Sequence, residues 1–155
     1  EPAAVSDPAA NGLPAETMAE VERVRQATAR FASLDTAMAA GYTQQYPEGC
    51  AQSADGVQGY HYMNPDLVDA QVDPMQPELV MYEPQDDGSM RLIGVDYVIP
   101  FDEWTAAEAP TLLGQPLLRN EPLGVWALHI WAWRDNPSGM LAPWNPNVSC
   151  EFATD

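Results

Sequence analysis

Cys50 and Cys150 are the only cysteines in the chain and stand a hundred positions apart. That separation fits neither zinc-ligand spacing nor a Cys-x-x-Cys redox pair, so a structural disulfide is expected. Cys50 follows the turn-like run Pro47, Glu48, Gly49, so the bond would tie the C-terminal tail to the start of the folded body. In the chain-entropy model, closing a loop of about 100 residues stabilises by roughly 4 to 5 kcal/mol. Such bonds persist outside the reducing cytosol. The run Glu1, Pro2, Ala3, Ala4 also has the character of residues left by signal-peptide cleavage. The expectation is an exported protein, periplasmic or extracellular.

A length of 155 residues suits one domain with a real core, and 46% apolar residues excludes a disordered chain. No run approaches the roughly 20 apolar residues that span a bilayer, so membrane insertion is not expected. There are 23 acidic side chains against six basic ones, all arginine, for a net charge of -17. Such a chain repels nucleic acid and anionic lipid. Its acidic residues are dispersed, as on a surface that serves solubility.

Residues 1 to 12 hold Pro2, Pro8, Asn11 and Gly12 without apolar periodicity and read as a flexible leader, leaving 13 to 155 as a single domain. From Pro14 to Ala40, Met18, Val21, Val24, Phe31, Leu34 and Met38 recur at spacings of three, four or seven. That periodicity predicts a long amphipathic helix, stopped at Gly41. Beyond it, short apolar runs are broken by proline, asparagine and glycine, which predicts strands. The candidates are Val57 to Met63, Leu79 to Glu83, Met90 to Ile99 and Val125 to Arg134. Asp87 and Gly88 lie between the second and third, a hairpin signal. The fold class is therefore α+β, with one long N-terminal helix packed on a mostly antiparallel sheet of about four to five strands.

Both histidines, His61 and His129, fall inside predicted strands. Alternation puts His129 on one face with Trp131 and Trp133, and opposite Trp126, Leu128 and Ile130, so it is expected to be buried. A backbone carbonyl or a tyrosine hydroxyl could satisfy each ring. The functional reading is convergence of both rings on one metal ion or small ligand, with copper, zinc or iron the metals that imidazole favours. Met63, two residues from His61, adds a thioether that suits copper.

Glu83 and Asp96 interrupt apolar strands and are the carboxylates that could complete such a site. With Asp87 and Gly88 as the central pair of the turn, Glu83 faces Leu92 and shares a face with Asp96, but about 13 Å along the sheet. One of the two is therefore expected at the metal, and the other paired with an arginine, Arg91 if the turn differs by one residue.

The phosphate loop, nucleophile elbow and His-Glu-x-x-His motifs are all missing. The segments GYHYMNP (59 to 65), VMYEP (80 to 84), GVDYVIP (94 to 100), LHIWAW (128 to 133), NPSGM (136 to 140) and WNPNVSC (144 to 150) resemble a family of exported bacterial proteins of uncharacterised activity. The resemblance implies an exported, folded protein with both histidines in recurring segments. The function expected is an exported binding protein that holds a metal ion or small ligand at a two-histidine site. A structural or protein-interaction module of the cell envelope and a metal-dependent enzyme are the alternatives.

Overall fold

The structure is a computed structural model that describes residues 13–154. The expected leader, residues 1 to 12, lies outside the described residues. Pro14 precedes α1 (Ala15–Thr28), as its fixed φ permits before a first turn. Val21, Val24 and Thr28 lie three or four apart and are fully buried, the face that the apolar spacing predicts. Arg25, four residues after Val21, shares this face despite its charge: it is buried and its Nε donates to the Ala132 carbonyl at 2.8 Å.

The expected single helix is divided. A 3-10 turn at Ala29–Ala32 ends α1, and Ser33 takes an extended conformation. The Ser33 hydroxyl accepts from the Thr36 N–H at 3.2 Å and starts α2 (Leu34–Ala39). Serine satisfies a free N–H better as a cap than inside a helix, so the break falls there. Gly41, at φ 111°, follows α2 as the sequence suggests.

The main sheet is built from β1 (Gln44–Ser53), β2 (Gly56–Met63), β3 (Leu79–Pro84), β4 (Met90–Pro100), β7 (Leu118–Asn120) and β8 (Val125–Ile130); β5 (Thr111–Leu112) and β6 (Gln115–Pro116) form a separate small ladder. Its order is β1-β2-β3-β4-β8-β7 and its pairings are antiparallel. The sheet thus has six strands instead of four or five. Both additions, β1 and β7, are edge strands. β1 is polar and contains Pro47, which a central strand would not accommodate but an edge does.

The predicted hairpin forms between β3 and β4, with Glu83 opposite Arg91 and Tyr82 opposite Leu92. A register shift between Met81 and Tyr82 adds one residue to β4, after which Leu79 faces Asp96. The expected facing of Glu83 and Leu92 is therefore one residue out near the turn. β8 ends at Ile130, four residues before the predicted limit, because the Trp131 N–H bonds to the Met140 carbonyl and the Trp133 N–H to that of Ile93. Trp131 stays on the His129 side, in a cluster with Met81, Ile93 and Val148. Trp133 does not: it turns toward α1, where its Nε1 donates to Thr28 Oγ1 at 3.1 Å.

The two sheet faces differ. Tyr60, Tyr62, Val80, Tyr82, Val95, Tyr97, Leu128 and Ile130 share the principal core with Val21, Val24 and Phe31 of the helical segment. Burial of this face is the main stabilising term, at about 25 cal/mol per Å² of apolar surface. Tyrosine hydroxyls fix it in place: Tyr82 donates to the Phe31 carbonyl at 2.6 Å and Tyr97 to that of Pro74 at 2.7 Å. The opposite face carries Leu79, Val98, Val125 and Ala127, and Tyr46, Met63 and Leu123 pack against them. Tyr46 lies in β1 and Leu123 in the turn after β7, on opposite edges of the sheet. They nevertheless meet, with the Tyr46 hydroxyl donating to the Leu123 carbonyl at 2.8 Å. The edges close over one face and enclose a space.

The disulfide Cys50–Cys150 closes the expected loop, with a sequence separation of 100. The tail it anchors is also held by Val57 and Asn145, which exchange backbone hydrogen bonds of 3.0 and 3.1 Å.

Candidate metal centre

Antiparallel pairing puts two potential ligands side by side. Asp96 on β4 is directly opposite His129 on β8, and its other neighbour, Leu79 on β3, is two residues from Met81, the partner of His61 on β2. His61 therefore lies across β3 from Asp96 and one row along the sheet. Its ring spans the gap: His61 Nε2 is 3.7 Å from Asp96 Oδ2, and His129 Nε2 is 3.2 Å from the same oxygen. The two imidazole rings lie edge to face, with centroids 5.8 Å apart. One ligand atom from each of His61, Asp96 and His129 falls within 4.8 Å of the others.

Gly94, in the adjacent row on the same face, helps keep these strands close. A Cβ there would sit 2.5 Å from the Ile130 carbonyl oxygen and 2.9 Å from Met81 Cε.

All three side chains are buried, at 1%, 5% and 6% exposure for His61, Asp96 and His129. Asp96 Oδ1 and His129 Nε2 are buried without a hydrogen-bond partner. A carboxylate out of water with an unused oxygen is costly unless a cation or donor meets it. Burial lowers the His61 pKa to about 4, outweighing the opposing pull of Asp96, and His129 adds to the lowering. His61 is thus neutral near pH 7, the form in which imidazole binds metals. Four-coordinate ligands at about 2.1 Å from a metal lie roughly 3.4 Å from one another. The observed 3.2 and 3.7 Å are close to that spacing.

Of the four residues the sequence singles out, three therefore converge and Glu83 does not. Glu83 Oε2 accepts from the Ser149 N–H at 2.9 Å, and Oε1 lies 3.7 Å from Arg134 Nε. It holds the tail beside the disulfide and is no part of the buried cluster. Asp96 lies in the cluster and Glu83 beside an arginine, which is Arg134 instead of Arg91. Met63 packs against the apolar cluster of Leu79 and Val98.

The three side chains line a cavity of about 280 Å³, whose walls include Leu79, Val98, Leu123, Val125, Ala127 and Trp144. Sequence reasoning missed Leu123 and Trp144 as walls, because they come from an edge turn and an irregular tail with no periodic signal. It also missed Glu78, which is 2% exposed and accepts from the Val98 N–H at 3.2 Å. Burial pushes the Glu78 carboxyl up to about 8, against the Val98 hydrogen bond that favours its ionised form.

The fold and the cluster define a class, an α+β domain with a disulfide and a buried His-Asp-His group able to hold a metal ion. No family model, curated protein or solved structure matches the chain. Among the described residues, no helix is long and apolar enough to cross a membrane.

Proposed function

We propose that this is an exported protein that binds a divalent transition metal through His61, Asp96 and His129. The observation that carries the reading is the buried Asp96 carboxylate, flanked at 3.2 and 3.7 Å by imidazole nitrogens and left with an unpartnered oxygen. Two imidazoles and one carboxylate suit zinc and iron(II), with copper also accepted by the imidazoles. The disulfide supports export.

A second reading, a metal-dependent enzyme, is favoured by the number of donors. Three protein ligands leave coordination positions open, and a metal with an open position can acidify water or activate oxygen. A structural module of the cell envelope is disfavoured by the same carboxylate, because a passive core would gain from replacing it with an apolar residue.

The test is metal analysis of the purified protein, then equilibrium binding of zinc, iron(II) and copper to the stripped form. One equivalent in the parent, lost in His61→Ala and His129→Ala, is the expected result. A folded parent that takes up none of the three metals sinks the reading.

A further inference from the structure

The cavity beside the cluster is as specific in its chemistry as the cluster itself. Its walls of Leu79, Val98, Leu123, Val125 and Ala127 are apolar, and His61, Asp96 and His129 line the same space. The polar side chains along it are tied into the wall: Gln58 donates to the Pro143 carbonyl at 2.7 Å, and Asn120 accepts from the Leu123 N–H at 3.2 Å. Tyr46 is likewise held, by its bond to Leu123. Of the residues that line the cavity, those with unpartnered buried polar atoms are the cluster's own, through His61 Nδ1, Asp96 Oδ1 and His129 Nε2. An occupant would therefore meet buried, unpaired polar atoms at the cluster and mainly apolar walls around it.

Charge sets the nature of that point. A divalent ion held by one carboxylate and two neutral imidazoles keeps a net positive charge, on side chains that are largely removed from solvent. Such a site favours a single negative charge on its remaining positions. Size sets the rest: about 280 Å³ is at the lower edge of the roughly 300 to 1,000 Å³ typical of pockets for drug-sized ligands.

We infer that the cavity binds a small aliphatic or aromatic monocarboxylate, with its carboxylate on the metal and its hydrocarbon body between Leu79, Val98, Val125, Ala127 and Leu123. This rests on the metal-binding reading and adds to it the class of ligand.

The experiment titrates linear alkanoates from acetate to decanoate into the zinc-loaded protein by calorimetry, and repeats the titration on the stripped protein. Each methylene that enters the cavity should tighten binding about fourfold, up to a chain length beyond which affinity levels off. The stripped protein, with Asp96 uncompensated, should bind far more weakly. Leu123→Ala should move the plateau to longer chains, and Ala127→Phe to shorter ones, each with zinc stoichiometry unchanged. Cobalt substituted for zinc should change its visible spectrum on adding octanoate, which reports the carboxylate at the metal. Zinc uptake with no dependence on chain length, or a cobalt spectrum indifferent to octanoate, overturns the ligand assignment and leaves the metal site standing. Failure to take up zinc, cobalt, iron(II) or copper overturns both.

Discussion

Asp96 and His129 are register partners on adjacent antiparallel strands, and Asp96 Oδ2 lies 3.2 Å from His129 Nε2. Directly opposite residues in such a ladder have their side chains on one face, within reach of each other. The pair is thus placed by backbone geometry, and the contribution of His61 from two strands away completes a three-donor group on a rigid support. Ligands placed this way need little rearrangement to receive an ion.

The Asp96→Asn variant separates the two roles of this carboxylate. It removes a buried charge while keeping a side chain of nearly the same shape, so the stripped variant should be no less stable than the stripped parent in urea. Its metal affinity should fall at least about a hundredfold, because a neutral amide is a poor ligand and the site loses its only negative charge. The check is paired denaturation curves with and without zinc. The parent midpoint should rise with zinc concentration as mass action requires, and the variant midpoint should begin to rise only at zinc concentrations at least about a hundredfold higher.

Loss of the disulfide should weaken the fold without dissolving the site. Replacing Cys50 and Cys150 together by alanine releases a loop closure across a separation of 100 residues, worth roughly 4 to 5 kcal/mol in the chain-entropy model. The tail keeps its other anchors, Val57 with Asn145, Glu83 with the Ser149 N–H, and Val148 against Met81 and Trp131. Denaturant unfolding should show the stability loss, while zinc stoichiometry of the folded variant stays at one. A variant that is folded but binds no metal would mean that the bond itself shapes the centre.

Much of this arrangement is legible from residue types alone, and the limits have physical causes. The disulfide follows from there being no other pairing. His61, His129 and Asp96 stand out because a polar or charged residue inside an apolar strand requires compensation. Their convergence is not legible, since it depends on strand order: β8 pairs with β4, which puts His129 opposite Asp96, and this long-range choice leaves no local mark. Glu83 shows the same sequence signature as Asp96, yet it neighbours the tail, whose path no periodicity predicts. The edge strands β1 and β7 were invisible for a related reason, because edges tolerate the polar and proline-bearing sequences that argue against a strand. The helix break at Ser33 was written in the cap residue but masked by the apolar spacing that continues through Phe31 and Leu34.

Glu78 should give the metal-free protein a stability that falls as pH rises. Its carboxyl is raised to about 8 in the folded state, chiefly by burial, from an ordinary value of 4.5. Between those two values the native state keeps a proton that the unfolded chain releases, so the native state is favoured less as pH climbs through the window. Glu78→Gln can still accept from the Val98 N–H and cannot ionise. Relative to the parent, the variant should therefore gain stability progressively from pH 4.5 to 8. His61 contributes the opposite slope, because its pKa is lowered from 6.5 to about 4 and stability is lost as pH falls through that range. That contribution is common to both proteins and cancels in their difference. Urea midpoints of parent and variant that stay parallel across the window would show that Glu78 is already ionised in the native state.

Tyr46 closes the cavity from the sheet edge opposite the one that carries Leu123, through a single hydrogen bond of 2.8 Å. Tyr46→Phe keeps the ring that packs on the apolar cluster and removes only the donor. The expected cost is about 1 kcal/mol, the usual net worth of one such bond. The loss should be local, because the β7–β8 turn is otherwise held to the sheet mainly by the Phe101 N–H bond to the Gly124 carbonyl and by the short β7 ladder. Amide exchange around residues 120 to 125 should quicken while protection at β3 and β4 is retained. Zinc affinity should be unaffected, since no donor atom is touched. An octanoate bound beneath the turn should dissociate faster, with its association rate little changed. Uniform loss of protection across the sheet would instead mean that this contact is part of the global fold and does not act as a clasp over the cavity.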